Sequence, residues 1–317
     1  RILLLRLLVA GLDLRIGQGG LVRHRYPLSC VGGLQSPGDN ISERAFLLQD
    51  HYIWMCPVCQ QALSHVEGRF ICPSSHSFDQ AREGYVNLIL AHQRSSQQAG
   101  DPPDSLRQRR KFLEAGHYRP LVEAVSAMVS EAGGAGQILD AGCGEGYLLR
   151  SLKSEIVADG FHGVDVSKTA VRLAARSCAD ISFAVANAVR LPVLAGSVDL
   201  YLVMMAPRYE QEVRRVLTPG GVLLSVTPAA RHLAALRNLV YEEVHPHSPS
   251  EPSADFRLME HQQVEFALNL TSPESVAQLV EMTPYKWHMN PAIYQRLRDL
   301  TSLTDTAHFD LQLLTPA

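Results

Sequence analysis

Three cysteines and one histidine fall into two close pairs, Cys56-Pro-Val-Cys59 and Cys72-Pro-Ser-Ser-His76, with twelve residues between the pairs. Zinc takes four thiolate or imidazole ligands at tetrahedral angles, and two short pairs joined by a hairpin-length spacer supply them at little loss of chain entropy. Packing alone needs no such double pairing, so reduced core cysteines are the weaker explanation. His51 and His65 lie nearby but lack the paired spacing. Three thiolates and one imidazole leave no open position, which makes a single ion here structural, not catalytic. Cys30, Cys143 and Cys178 are scattered. The clustering therefore points to a metal site and a reducing cytoplasm instead of a disulfide framework.

A second constellation, Leu139-Asp-Ala-Gly-Cys-Gly-Glu-Gly146, follows an apolar run and opens a helical stretch. Gly142, Gly144 and Gly146 let the backbone turn sharply and approach a ligand with no Cβ in the way. Asp140 stands directly before the turn. Asp165 ends the next apolar run, where its carboxylate can accept hydrogen bonds from both ribose hydroxyls of an adenosyl ligand. A dinucleotide-binding fold uses G-x-G-x-x-G, whereas this turn reads G-x-G-x-G, the pattern of S-adenosylmethionine methyltransferases.

The elements that must position these residues alternate. After Gln137–Asp140 come a helix from Tyr147 to Ile156, a strand ending at Asp165, a helix from Ser167 to Arg176, and strands at Ile181–Val185, Val198–Met205 and Val222–Val226. Alternation of this kind predicts an α/β fold, a doubly wound and mainly parallel Rossmann-like sheet. Pro120–Ser130 repeats apolar residues at helical spacing and reads as a leading helix. Its upstream neighbour carries Arg107, Arg109, Arg110 and Lys111. Residues 1–120 hold 14 Lys and Arg against 10 Asp and Glu, and the rest 15 against 22. A polyanion should therefore meet the front first, although the net charge of the whole chain is −3. The apolar opening run Arg1–Leu12 is too short to span a bilayer and is followed by Asp13 and Arg15. The expected organisation is an extension over 1–50, a small β-rich zinc module over 51–92, to which the resemblance given below assigns RNA recognition, a linker with leading helices over 93–135, and the methyltransferase domain over 136–317.

From Cys56 onward the chain resembles the 23S (large-subunit) rRNA guanine-N1 methyltransferase family of the RlmA type. The likeness rests on the Cys/His set, Phe78-Asp-Gln-Ala-Arg-Glu-Gly-Tyr-Val-Asn-Leu88, Arg110-Lys-Phe-Leu-Glu-Ala-Gly-His-Tyr118, Leu139 to Tyr147, Val164-Asp-Val-Ser-Lys168, Pro219-Gly-Gly221, Arg231-His-Leu233 and Met282-Thr-Pro284. It implies zinc on Cys56, Cys59, Cys72 and His76, and contacts to S-adenosylmethionine from Tyr118, Gly144, Glu145 and His232. It also implies an rRNA hairpin as substrate, a cytoplasmic enzyme with no membrane association, and a fold that admits a homodimer.

Methyl transfer is an in-line displacement that asks the protein chiefly for near-attack geometry. Guanine N1 must also lose its proton, for which Glu243, His245 and His247 are candidates beside the plain reading of a solvated loop. Met204-Met205-Ala206-Pro207 ends a strand where a target base would lie, and offers apolar side chains and carbonyls. Tyr209, Tyr241 and Trp287 could stack on an unstacked base, and the basic run could touch phosphates. Two alternatives carry weight: a methyltransferase of small molecules, which would not need a metal-stapled lobe, and a non-catalytic RNA-binding module, which would not need an intact Gly144 and Asp165.

Overall fold

The Cys/His stretch folds around a hairpin. Its computed structural model describes residues 52–91, 100–133, 135–248 and 251–317, so the expected extension over 1–50 lies outside the described residues. Strands β1 (Ser64–Val66) and β2 (Arg69–Ile71) pair antiparallel, and β3 (Ser77–Asp79) adds to β2. Glu67 and Gly68 join the first two with positive φ at both positions, 50° and 76°. That is the backbone a two-residue hairpin requires, because its twist matches the strands on either side.

A fourth short strand, β4 (Tyr85–Asn87), leaves this module and joins the main sheet. The sheet continues with β5 (Ala135–Ala141), β6 (Ala158–Asp165), β7 (Ser182–Val185), β8 (Val198–Met204), β9 (Leu217–Pro228), β10 (Phe256–Leu270) and β11 (Leu303–Pro316). Its order is β10-β11-β9-β8-β5-β6-β7-β4. All pairs from β4 to β9 are parallel, and the β10–β11 hairpin returns antiparallel beside β9. The order reverses at β5, whose neighbours are β6 on one side and β8 on the other. In open α/β sheets ligands bind beyond the carboxyl end of the strands at such a switch point, and the glycine turn emerges there.

The helices are α1 (Pro103–Glu114), α2 (Arg119–Glu131), α3 (Tyr147–Glu155), α4 (Lys168–Ser177), α5 (Glu210–Val216), α6 (Ala234–Val240), α7 (Pro273–Met282) and α8 (Pro291–Arg298). Helix α2 buries Leu121, Val122, Val125, Met128 and Val129, the stripe its periodicity predicts. Strand β9 is longer than expected and includes Pro219-Gly-Gly221. Beyond it lie elements not expected from the sequence, among them β11, which turns Ala307, Phe309, Leu311 and Leu313 into the core at a period of two.

The metal module and the sheet share one apolar core. Ile53, Trp54, Phe70, Val86 and Leu88 are buried against Leu139, Val164, Leu191 and Val193. Trp54, fully buried, bridges Val193 and donates from Nε1 to Ser182 Oγ at 2.8 Å. Among the described residues no helix is long and apolar enough to cross a membrane.

Candidate functional site

The hairpin brings the two Cys/His pairs together. One ligand atom from each of Cys56, Cys59, Cys72 and His76 lies within 4.8 Å of the others. Three of the edges are 3.4 Å from Cys59 Sγ to Cys72 Sγ, 3.3 Å from Cys72 Sγ to His76 Nδ1 and 3.7 Å from Cys56 Sγ to His76 Nδ1. A Cys3His tetrahedron built on zinc–sulfur bonds of about 2.3 Å and zinc–nitrogen bonds of about 2.0–2.1 Å has edges of roughly 3.5–3.8 Å, within a few tenths of an ångström of these, so the four atoms can close on one ion. The backbone N–H of Gln61 draws the Cys59 thiol down to about 6, while burial pushes Cys56 up.

At the glycine turn the backbone does what its residues allow. Gly142, Gly144 and Gly146 have φ of 86°, 54° and 80°, a region that side chains disfavour. The N–H groups of Gly142 and Cys143 both donate to Val164 O, at 2.8 and 3.0 Å, and lock the turn to β6. A Cβ on Gly142 would sit 2.5 Å from Ala206 Cβ, and one on Gly146 would sit 2.9 Å from Ala174 Cβ. These two glycines thus permit close packing of the β8 end and of α4. Gly144 differs: the nearest atom to its Cβ position is Arg109 Nη1 at 4.0 Å. Its face is the approachable one.

Asp165 accepts hydrogen bonds from Gly144 N at 2.9 Å and Ser167 N at 2.8 Å, one on each carboxylate oxygen. Each oxygen keeps a second lone pair. Burial raises the Asp165 carboxyl above its usual range, opposed by those two N–H donors. Asp140 is 2% exposed and its Oδ1 has no hydrogen-bond partner. Burial, with Asp165 next, pushes it up to about 7. An orphaned buried carboxylate oxygen beside a glycine turn is the feature a cationic or N–H-bearing ligand group completes.

Helix α1 spans this region. Its Arg109 reaches Gly144, pairs with Asp101 at 2.6 Å and donates to Met282 O at 3.1 Å. Its Phe112 stands edge-on to Tyr118, centroids 5.4 Å apart. Tyr118, the N-cap of α2, lies 6.4 Å from the His232 ring, and Phe309 packs against both. His232 Nδ1 accepts the N–H of His308 at 3.3 Å. Burial first, then His247, lowers His232 to about 3, so it is neutral with its hydrogen on Nε2. Glu145 is buried, and its carboxylate faces Arg150 at 3.4 Å.

The looser candidates separate. Glu243 and His245 pair at 3.8 Å and are about four-fifths exposed. His247 is less exposed, 6.3 Å from the His232 ring, with Tyr285 Oη 3.5 Å from its Nε2. All four residues of the basic run face carboxylates: Arg107 meets Asp104, Arg109 meets Asp101, Arg110 meets Glu114 and Lys111 meets Glu274. Tyr241 packs edge-on against Tyr285, while Trp287 is 65% exposed. The Asp101–Arg109 pair went unread in the sequence, because no local spacing signals it. A separate cavity of about 530 Å³ lies between the α1–α2 junction and the start of α7, lined by Lys111, His117, Thr271 and Ser275 among others. It is not at the glycine turn.

Comparison with known proteins finds relatives of both sites. Residues 54–97 match a family model described as the N-terminal region of RlmA, a zinc ribbon, and residues 138–221 match one described as a methyltransferase domain. A Streptomyces fradiae 23S rRNA (guanine(748)-N(1))-methyltransferase is 35% identical over 259 residues, covering 78% of this chain and 91% of that protein. A Micromonospora griseorubida protein, provisionally named a 23S rRNA (guanine-N(1)-)-methyltransferase, is 34% identical over 268 residues, covering 75% and 88%. With a zinc ribbon and an S-adenosylmethionine methyltransferase fold built on one core, the chain belongs to the RlmA-type family of 23S rRNA guanine-N1 methyltransferases.

Proposed function

We propose that this protein transfers a methyl group from S-adenosylmethionine to N1 of a guanine in a hairpin of 23S rRNA, in the cytoplasm where that RNA is assembled. The observation that carries the reading is the glycine turn at the switch point of the sheet, with Asp140 Oδ1 unpartnered and Asp165 behind it, in a chain of this family. Once bound, the donor supplies an electrophilic methyl on a sulfonium that is also its own leaving group.

The chain's residues divide the remaining work. The free lone pairs of Asp165 take the ribose hydroxyls, and Asp140 Oδ1 takes the donor's ammonium. Gly142 and Gly146 shape the turn, and Gly144 with the backbone of Glu145 lets the ligand approach. Tyr118 and the Nε2 hydrogen of His232 border the methionyl side. Cys56, Cys59, Cys72 and His76 hold one zinc, which fixes the module that meets the RNA. His247 is the group we assign to receive the N1 proton: burial lowers its pKa, so it is neutral and able to accept at pH 7.

Incubation with tritiated S-adenosylmethionine and unmodified 23S rRNA, followed by nucleoside analysis, tests the reading. Label in 1-methylguanosine, lost in Asp165→Ala, is the expected result. Measurable donor binding with no label in RNA would overturn it and favour a small-molecule substrate.

A further inference from the structure

Trp287 is a large aromatic side chain that meets solvent. The chain has two tryptophans: Trp54 is 0% exposed and Trp287 is 65% exposed. Trp287 sits on a short 3-10 turn, Pro284–His288, that directly follows α7. The turn is held, not loose. Lys286 Nζ lies 4.5 Å from the centre of the indole and is tethered to Glu281 Oε2 at 3.3 Å and to Ser105 Oγ of α1. The Lys286 side chain is only 12% exposed. An ammonium held against the ring fixes it, and with the residue 65% exposed most of its surface remains for a second ring to cover.

The position is tied to the glycine turn. Met282, five residues before Trp287, accepts a hydrogen bond from Arg109, whose other terminal nitrogen is the nearest atom to the Gly144 Cβ position. Five residues reach at most about 17 Å, and less through a 3-10 turn. The other two candidate stacking residues differ from it. Tyr241 is engaged with Tyr285 and His288, and Tyr209 is 38% exposed beside α5.

We propose that Trp287, held by Lys286, is a stacking platform for an unpaired nucleotide next to the target guanine, the base seated on its exposed surface. This rests on the RNA reading above. The target itself needs an enclosed, water-poor seat, whereas a ring two-thirds open suits a neighbour at the solvent boundary. Base stacking on aromatic side chains is tolerant of sequence and strong enough to place a strand.

Kinetics with a 23S rRNA fragment and acrylamide quenching of tryptophan fluorescence test the contact. Trp287→Ala should raise KM for RNA by about 5- to 100-fold and leave the donor Kd unchanged, and Trp287→Phe should recover most of the loss. Bound RNA should shield the quenchable emission, which comes from Trp287 because Trp54 is buried. An unchanged KM in Trp287→Ala with no shielding overturns the proposal, as does loss of donor affinity, which would mark a structural role. RNA that shields Trp287 but is never methylated would keep the contact and defeat the methyl-transfer reading instead.

Discussion

Tyr118, from the leading helices, and His232, which follows β9, meet edge-on with ring centroids 6.4 Å apart, and Phe309 lies 5.1 Å from one and 4.6 Å from the other. The His308 N–H fixes the imidazole tautomer, so the hydrogen on His232 Nε2 is the group left to meet a ligand. His232→Ala should weaken S-adenosylmethionine binding by about tenfold, roughly the worth of one hydrogen bond to a charged group. Calorimetric titration measures it, and zinc content should not change.

The glycines should fail in different ways. Gly144→Ala meets nothing nearer than Arg109 Nη1 at 4.0 Å, so it should cost only about 1 kcal/mol for its backbone conformation while raising KM for the donor. Gly146→Ala meets Ala174 and Gly142→Ala meets Ala206, and each should cost about 1–3 kcal/mol of stability by overpacking. Urea unfolding alongside donor KM separates the two outcomes.

Removing zinc should unsettle more than the hairpin. Trp54 and Phe70 of the metal module share a core with Leu139 and Val164 of the sheet. Cys59→Ser, or chelation, should drop bound zinc from about one ion per chain and lower Tm by roughly 2–8 °C or more, since about 1–2 kcal/mol shifts a unit of this size by that much. Metal analysis with thermal unfolding checks it. A lost ion with an unchanged Tm would mean the shared core holds without it.

Asp140 and His232 give opposite pH dependences. The folded Asp140 carboxyl lies at about 7, above its ordinary value of 3.8, so the native state binds the extra proton between these values and stability falls as pH rises through that window. Asp140→Asn, which cannot ionise, should therefore gain stability relative to wild type on going from pH 4 to pH 7, by at most a few kcal/mol. His232 lies at about 3, below its ordinary 6.5. Its contribution is present above 6.5 and lost as pH falls toward 3. Urea unfolding of both variants across this range reads each sign.

Proton removal should distinguish the three candidate bases. His247→Ala should lower kcat by about 10²-fold, while Glu243→Ala and His245→Ala, both exposed, should remain within about twofold. Equal losses in all three would argue for a loop that acts as a unit, with no single acceptor.

The sequence by itself determined the chemistry that depends on local spacing. CxxC and CxxxH need only a hairpin to converge, and G-x-G-x-G needs only a strand before it and a helix after it, so Cys56, Cys59, Cys72, His76, Gly144 and Asp165 were legible. The alternation of apolar runs with helical stretches gave away the parallel sheet for the same reason. Tertiary structure alone decided the rest. Tyr118 meets His232 only because β11 brings Phe309 between them, and Arg109 reaches Gly144 only because α1 crosses the switch point. The basic run looked like a free patch in sequence, yet Lys111 and Arg109 find Glu274 and Asp101 once folded. Long-range pairing of this kind leaves no periodic trace in the chain. Nor does exposure: three aromatic residues were equal candidates for stacking, and only the packing around Tyr241 and the greater exposure of Trp287, 65% against 38% for Tyr209, told them apart.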